Sequence, residues 1–219
     1  MRRPYPEGRP PSIRDFMAFE EHVRGARAVT GRGEVPEAWY EAPRFYFSNP
    51  AAVYRDGDDI PKPTDTAALD YELELACAIG RDGRPEGFTI MNDWSARDLQ
   101  ARERDVGLGP GKGKDFATSL GPVLVSVDEL PSDLAMRAVA RVNGEVRTES
   151  STGGMYFSWD QLLAAAERNT PGLVPGDVLG SGTVGRGCIL EHGDARWLQI
   201  GDVVELEIEG IGVLRNRIV

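Results

Sequence analysis

Cysteine and histidine are both scarce in this chain, with two of each among 219 residues. Cys77 and Cys188 sit in apolar segments and spell neither a metal knuckle nor a disulfide framework, so a reducing cytoplasm is expected. Basic charge is short as well. Lys+Arg number 25 against 35 Asp+Glu, a net charge of -10. That balance excludes a nucleic-acid footprint, and no basic run suggests a membrane surface. No apolar segment follows Arg2 and Arg3, and none reaches transmembrane length. Solenoid repeats, low-complexity tracts and regular βαβ alternation are missing, which argues against a Rossmann fold. The 41% hydrophobic content is enough for one sizeable core.

What the chain does have is short strands with a few helices, an α+β pattern dominated by β. Residues 1–11, rich in Pro and Arg, suggest an extended arm, and 12–219 form a single domain. "SIRD" places Ser12 at an N-cap and Asp15 at N3, predicting a helix to about Ala26. Strands are expected at "RFYFSNP", over 69–80, over 88–92 and at "GPVLVSV", with a helix in "DWSARDLQARERD". Asn143-Gly144 marks a hairpin turn. Ser158 and Gln161 form a capping box opening the helix of "SWDQLLAAAERN". The last third reads as strands and turns.

"LDYELELAC" carries Glu72 and Glu74 on one face of an apolar strand, about 6.5–7 Å apart along the backbone. Two carboxylates at that spacing can converge on a hard cation. They can equally be the wet side of an edge, and "VVELEIEG" repeats the spacing with Glu205, Glu207 and Glu209, where a solvated face is expected. Asp93 stands where a strand gives way to a helix, a place for a helix cap. Arg97 and Gln100 share one helix face beyond it. The glycine-rich "GLGPGKGKDF" is not a phosphate loop, because the glycine required upstream of Lys112 or Lys114 is absent.

"NDWSARDLQ" with its preceding strand resembles the fumarylacetoacetate hydrolase family. "RDFMAFEEH", "YFSNP", "DYELELACAIG", "GKDFATSLGP", "PGDVLGSGTVGRGC", "ILE" and "IGDVVELEIEGIGVLRN" follow the same family in order from Pro11 to Val219. The resemblance implies mixed sheets in a β-roll or sandwich with a few short helices, and a homodimer. It implies a divalent cation, Mg²⁺ or Ca²⁺, held by Glu72, Glu74 and Asp93. Asp15, seven residues before His22 as in one branch of the family, is implied as a fourth ligand, though the capping-box role stays open. His22 matches a general base paired with Glu191, whereas His192 is expected on the opposite strand face as a structural residue. Lys114 matches the family's active-site lysine, and Arg97 and Gln100 its substrate-polarising pair. Tyr46 and Thr183 match substrate contacts.

The implied reaction is hydrolysis of a carbon–carbon bond in a small anionic 1,3-diketo acid or acylpyruvate, with an enolate as leaving group. Decarboxylation of a β-keto acid such as oxaloacetate and isomerisation of an enol diacid are alternatives on the same site, as is an inactive relative that only binds a carboxylic acid. His22 and Glu191 together favour hydrolysis, since decarboxylation needs no activated water. "RDGRPEG" makes the link between the glutamate strand and "NDWSARD" a tight turn, and a shortened link is expected to bear on where Asp93 stands relative to Glu74. Substrate choice is expected from loops 24–45 and 150–158.

Overall fold

The computed structural model describes residues 1–219. Nine strands form one strongly curved mixed sheet. Its main path runs Arg2–Pro4, Val123–Val125, Pro85–Asp93, Leu73–Ile79, Val178–Gly180, Ile13–Phe16, Phe45–Ser48. Thr118–Leu120 pairs with the end of Pro85–Asp93 and, in parallel, with Val53–Tyr54. Val53–Tyr54 follows Phe45–Ser48 after a single 3-10 turn, Pro50–Ala52. The last strand of the path is thereby carried back towards the third, and the sheet curls into a nearly closed roll.

A five-stranded sheet, in the order Glu145–Ser151, Arg137–Val142, Val203–Ile208, Gly212–Ile218, Asp59–Ile60, covers the outside of the roll. Tyr71, Leu73, Leu75, Phe88 and Ile90 face it and join Ala138, Leu206, Ile208 and Leu214 in one apolar core. The architecture is thus α+β, mostly β, as the sequence implies. The capping box at Ser158 and Gln161 opens the helix Trp159–Glu167, which buries Leu162, Leu163 and Ala166. Asn143 and Gly144 both take positive φ in the hairpin between Arg137–Val142 and Glu145–Ser151. No helix is long and apolar enough to cross a membrane.

Four expectations need correction. Ser12 does not start a helix. Ile13–Phe16 is a strand buried on both faces, parallel to Val178–Gly180 and antiparallel to Phe45–Ser48, and the Ser12 hydroxyl donates to Asp177 Oδ1 at 2.7 Å. Pairing on both edges outweighs a local capping signal. The helix begins at Glu20, where Glu20 and Glu21 complement its positive end. Second, the segment 69–80 breaks into Leu69–Asp70 and Leu73–Ile79, with Glu72 bridging to Cys188 between them. Third, the helix in "DWSARDLQARERD" begins only at Arg97, with Ala96 at its N-cap and no side-chain cap. Asp93 is the last residue of a strand and caps nothing. Fourth, Glu191 and His192 lie in a short helix, Ile189–His192, so they do not alternate across a strand.

Candidate active site

The inside of the roll is built on a period of two. Ile13, Ala76, Met91 and Val178, with Leu120, plug one end with a small apolar cluster. Two residues further along the same faces stand Asp15, Glu74, Asp93 and Gly180. Of four consecutive strands, three therefore bring carboxylates to one end of the roll, and the one between Glu74 and Asp15 brings a residue without a side chain. A Cβ on Gly180 would lie 2.6 Å from Asp15 Oδ1 and 2.9 Å from Glu74 Oε2, so glycine there is what leaves the acids room. The tight turn after Ile79 does not separate them. Oxygens of Asp15, Glu72, Glu74 and Asp93 all lie within 4.8 Å of one another, and all four residues are buried.

Curvature closes the cluster. In a flat sheet the strands carrying Tyr46 and Asp93 would be four spacings, about 19 Å, apart. Here the Tyr46 hydroxyl donates to Asp93 Oδ2. Lys114 Nζ donates to the same oxygen and, at 2.5 Å, to Glu72 Oε2. Arg97 pairs with Glu72 Oε1 at 2.7 Å. Burial pushes the Glu72 carboxyl up, but Lys114 and Arg97 outweigh it and hold it below the ordinary range. The opposite holds for Asp15 and Glu74. Burial raises both well above ordinary carboxylates, and like charge adds to it: Asp93 against Asp15, Asp15 and Asp93 against Glu74.

Asp15 Oδ1, Glu74 Oε1 and Asp93 Oδ1 are buried without a hydrogen-bond donor. Orphaned acceptors are costly, and here they converge. Four carboxylates against the two cations Lys114 and Arg97 leave an excess of negative charge among oxygen-only ligands. That donor set fits a divalent cation. The Glu205, Glu207 and Glu209 series separates cleanly from it. Those residues are half-buried or exposed, and Glu207 pairs with Arg141 at 2.7 Å on the surface of the five-stranded sheet.

Beside the cluster, the helix Glu20–Val29 presents His22. Its Nδ1 lies 2.8 Å from Glu191 Oε2. Glu191 is itself fixed, accepting the Arg186 backbone N–H at 2.9 Å and the Cys188 thiol at 3.3 Å. Gly25 admits this approach, since a Cβ there would meet Glu191 Oε1 at 2.8 Å. With Nδ1 committed to Glu191, Nε2 is the nitrogen left to the cleft that His22 lines. His192 lies apart, 3.3 Å from the Thr148 hydroxyl.

A single cleft of about 410 Å³ is lined by nine of the sequence-derived site residues: Asp15, His22, Tyr46, Glu72, Glu74, Arg97, Gln100, Lys114 and Thr183. Asp93 and Glu191 stand behind it, in contact with Lys114 and His22. Gln100 accepts from Arg97 at 3.3 Å. Sequence reasoning missed Asp70. Its carboxylate accepts the backbone N–H groups of Ile189 (2.7 Å) and Leu190 (3.1 Å) and Arg97 Nε (2.8 Å). One buried acid therefore ties the Glu191 helix to the guanidinium at the cluster. Its place in "LDYELELAC", two residues before Glu72, was the available signal. Trp39 was also missed. It lines the cleft and packs on Tyr156 and Phe157, at 5.1 and 5.2 Å between ring centroids, joining the two loops expected to set substrate choice.

Residues 12–219 match the family described as fumarylacetoacetate (FAA) hydrolase C-terminal. Oxaloacetate tautomerase YisK of Bacillus subtilis is 33% identical over 81% of this chain, which spans 62% of that protein. The solved fumarylacetoacetate hydrolase of Exiguobacterium antarcticum is 31% identical, with a TM-score of 0.75 over 95% of this chain and 75% of that one. The fumarylpyruvate hydrolase of Pseudomonas aeruginosa, solved with Mn²⁺ and pyruvate, shares the fold at 24% identity, with a TM-score of 0.77 over 98% of both chains. Motif order, roll and matched length agree, and the chain belongs to the fumarylacetoacetate hydrolase family.

Proposed function

We propose that this protein hydrolyses the carbon–carbon bond of an acylpyruvate or related 1,3-diketo acid. The observation that carries the reading is the His22–Glu191 pair, 2.8 Å apart, opening on the same cleft as the carboxylate cluster. Asp15, Glu72, Glu74 and Asp93 would hold the divalent cation, Mg²⁺ or Ca²⁺ in this reading. When bound, it supplies Lewis-acid polarisation and a template for the substrate's paired oxygens.

The chain's own groups do the rest. His22 Nε2 takes a proton from water while Glu191 orients the ring and stabilises the imidazolium, a contribution of about 10²–10⁴ in rate. The hydroxyl adds to the acyl carbonyl. The bond from that carbon to the methylene then breaks, its electron pair leaves as the enolate of pyruvate, and the imidazolium returns the proton to the enolate carbon. Lys114, Arg97 and Gln100 face the developing oxyanion, each worth roughly 3 kcal/mol by comparison with other oxyanion holes. Tyr46 and Thr183 hold substrate. The products are a carboxylic acid and pyruvate.

A second reading, keto–enol interconversion of oxaloacetate, draws on the likeness to a protein named for that activity. A histidine that moves one proton at a carbon beside a ketone serves it equally well. The deciding experiment is a metal-dependent assay of acylpyruvates and of oxaloacetate, with wild type, His22→Ala and Glu72→Ala. Acylpyruvate cleavage that needs metal and both residues supports the hydrolase. Oxaloacetate interconversion without any cleavage replaces it with the tautomerase, and turnover of neither refutes both.

A further inference from the structure

His22 and Glu191 have a third neighbour that the reaction above does not use. The Cys188 thiol donates to Glu191 Oε2 at 3.3 Å, the same oxygen that lies 2.8 Å from His22 Nδ1. A ring nitrogen, a sulfur and a carboxylate oxygen therefore gather within 4.8 Å of one another. They come from the helix Glu20–Val29 and from the start of Ile189–His192. Cys188 is fully buried, and the His22 and Glu191 side chains are 9% and 1% exposed. The backbone N–H of Arg186 holds the other carboxylate oxygen, Oε1, so Oε2 is the one turned to the histidine and the thiol. Cys77, also buried, has no such ligands gathered around it.

This donor set differs in kind from the four carboxylates. Asp15, Glu72, Glu74 and Asp93 offer oxygen only, the preference of a hard cation. A thiolate, an imidazole and one carboxylate suit a borderline-soft ion such as Zn²⁺. Bonds of about 2.0–2.3 Å put tetrahedral ligands roughly 3.3–3.7 Å apart. The contacts of 2.8 and 3.3 Å would open by only about half an ångström to admit the ion. One thiolate and one carboxylate cancel its double charge, so the filled site is neutral, as burial demands. His22 borders the cleft and gives the ion its way in.

We propose that His22 Nδ1, Cys188 Sγ and Glu191 Oε2 form a second metal site, for Zn²⁺ or a similar thiophilic cation, and that filling it disables His22 as a base. The switch lies in the tautomer. With Nδ1–H donated to Glu191, Nε2 keeps the lone pair that takes a proton from water. An ion at Nδ1 takes that nitrogen's lone pair instead, and the ring proton moves to Nε2, which then donates and no longer accepts. The thiol proton goes to solvent as the sulfur–metal bond forms, so one proton is released per ion bound. Only the loss of turnover rests on the proposed role of His22; the binding does not.

The test adds Zn²⁺, or Co²⁺ as its coloured substitute, to protein saturated with Mg²⁺ to fill the proposed oxygen-only site. Calorimetry in two buffers of different ionisation enthalpy should give one Zn²⁺ bound and one proton released per chain. Co²⁺ should bring a sulfur-to-metal charge-transfer absorption that Cys188→Ser lacks. Turnover should stop with Zn²⁺ and return when a chelator removes it and Mg²⁺ is restored. Relative to its own Zn²⁺-free rate, Cys188→Ser should need about 100-fold more Zn²⁺ for half inhibition, because a neutral hydroxyl replaces an anionic sulfur. No charge-transfer absorption, or the same Zn²⁺ affinity in wild type and Cys188→Ser, overturns the site. Zn²⁺ bound through Cys188 with turnover intact overturns the switch. Should Cys188→Ser fail to fold, His22→Gln removes the nitrogen ligand instead, and an unchanged Co²⁺ affinity there is equally fatal. If neither acylpyruvate nor oxaloacetate is turned over, the proposed function fails, and the second site stands or falls on the absorption and the proton count.

Discussion

Glu74→Gln should stabilise this protein without metal and weaken it with metal. Glu72 and Asp93 have Lys114 against them, and Glu72 has Arg97 as well. Asp15 has no such partner, and its repulsion from Glu74 is the least shielded in the cluster. Two unit charges at the 4.8 Å limit of the cluster repel by roughly 3.5 kcal/mol at an effective dielectric of about 20. The isosteric amide removes that charge and puts a donor where Glu74 Oε1 or Asp15 Oδ1 now lacks one. Allowing for incomplete ionisation, a gain of about 2–3 kcal/mol follows, on the order of 4–12 °C in Tm for a domain of this size. The sign depends on pH. Asp15 and Glu74 are raised in the fold, so the metal-free folded state keeps protons that the unfolded chain has released. Their contribution to stability is fully present below about pH 4, the ordinary carboxylate range, and is lost as pH rises through the raised values. The advantage of Glu74→Gln is therefore small near pH 5 and grows towards pH 8. Saturating cation should add about 2.7 kcal/mol to wild type at a hundred times Kd and little to the variant, which lacks one of the proposed ligands. Thermal melts at pH 5, 7 and 8, with chelator and with Mg²⁺ or Mn²⁺, give the answer. A variant less stable than wild type in chelator at pH 8, or one with an undiminished metal-dependent shift, would refute the reasoning.

Glu191→Gln keeps the shape of the His22 partner but not its charge, so kcat for acylpyruvate cleavage should fall about 10²–10³-fold, with little further loss on adding His22→Ala, because the pair acts as a unit. Arg97→Leu strands Asp70 and half of Glu72 as buried charges; urea unfolding should show a loss of about 3–5 kcal/mol. Gly180→Ala drives a methyl into Met91, Asp15 and Glu74. Met91 has a flexible terminal methyl that can yield, whereas the carboxylates must move, so titration should show metal affinity down by about 10- to 100-fold.

Where local pattern and tertiary demand agree, the sequence is a good guide. The Asn143-Gly144 turn and the Ser158–Gln161 box stand in the structure as read, while Leu73 and Leu75 do alternate with Glu74, but in a strand buried on both faces. Local pattern fails where another part of the chain decides. "SIRD" has the letters of a helix start, but residues 13–16 fill a slot between two strands. Glu72 and Glu74 share their spacing with Glu205 and Glu207. The first pair lies in the middle of the roll with neighbours on both edges and both faces, while the second lies on a sheet with one face in water. No window of a few residues holds that distinction. Family motifs supplied it for the acids, His22 and Lys114, and the structure gathers them in one cleft, with Asp93 directly behind it. Asp70 escaped because its partners, Arg97 and the backbone of Ile189 and Leu190, come from two distant segments.

The strand order of the roll also has a kinetic side. Val178–Gly180 lies between Leu73–Ile79 and Ile13–Phe16, and Ile13 pairs in parallel with Val178. The middle of the sheet stays open until segments more than 160 positions apart have met, the kind of non-local closure that slows folding. Asp15 and Glu74 are strangers until that moment, so a cation finds no preformed cage on a partly folded chain. Held afterwards by the proposed ligands, it would tie together strands on both sides of the last seam to close and act as a latch on opening, lengthening the lifetime of the folded state while leaving the rate of folding nearly untouched.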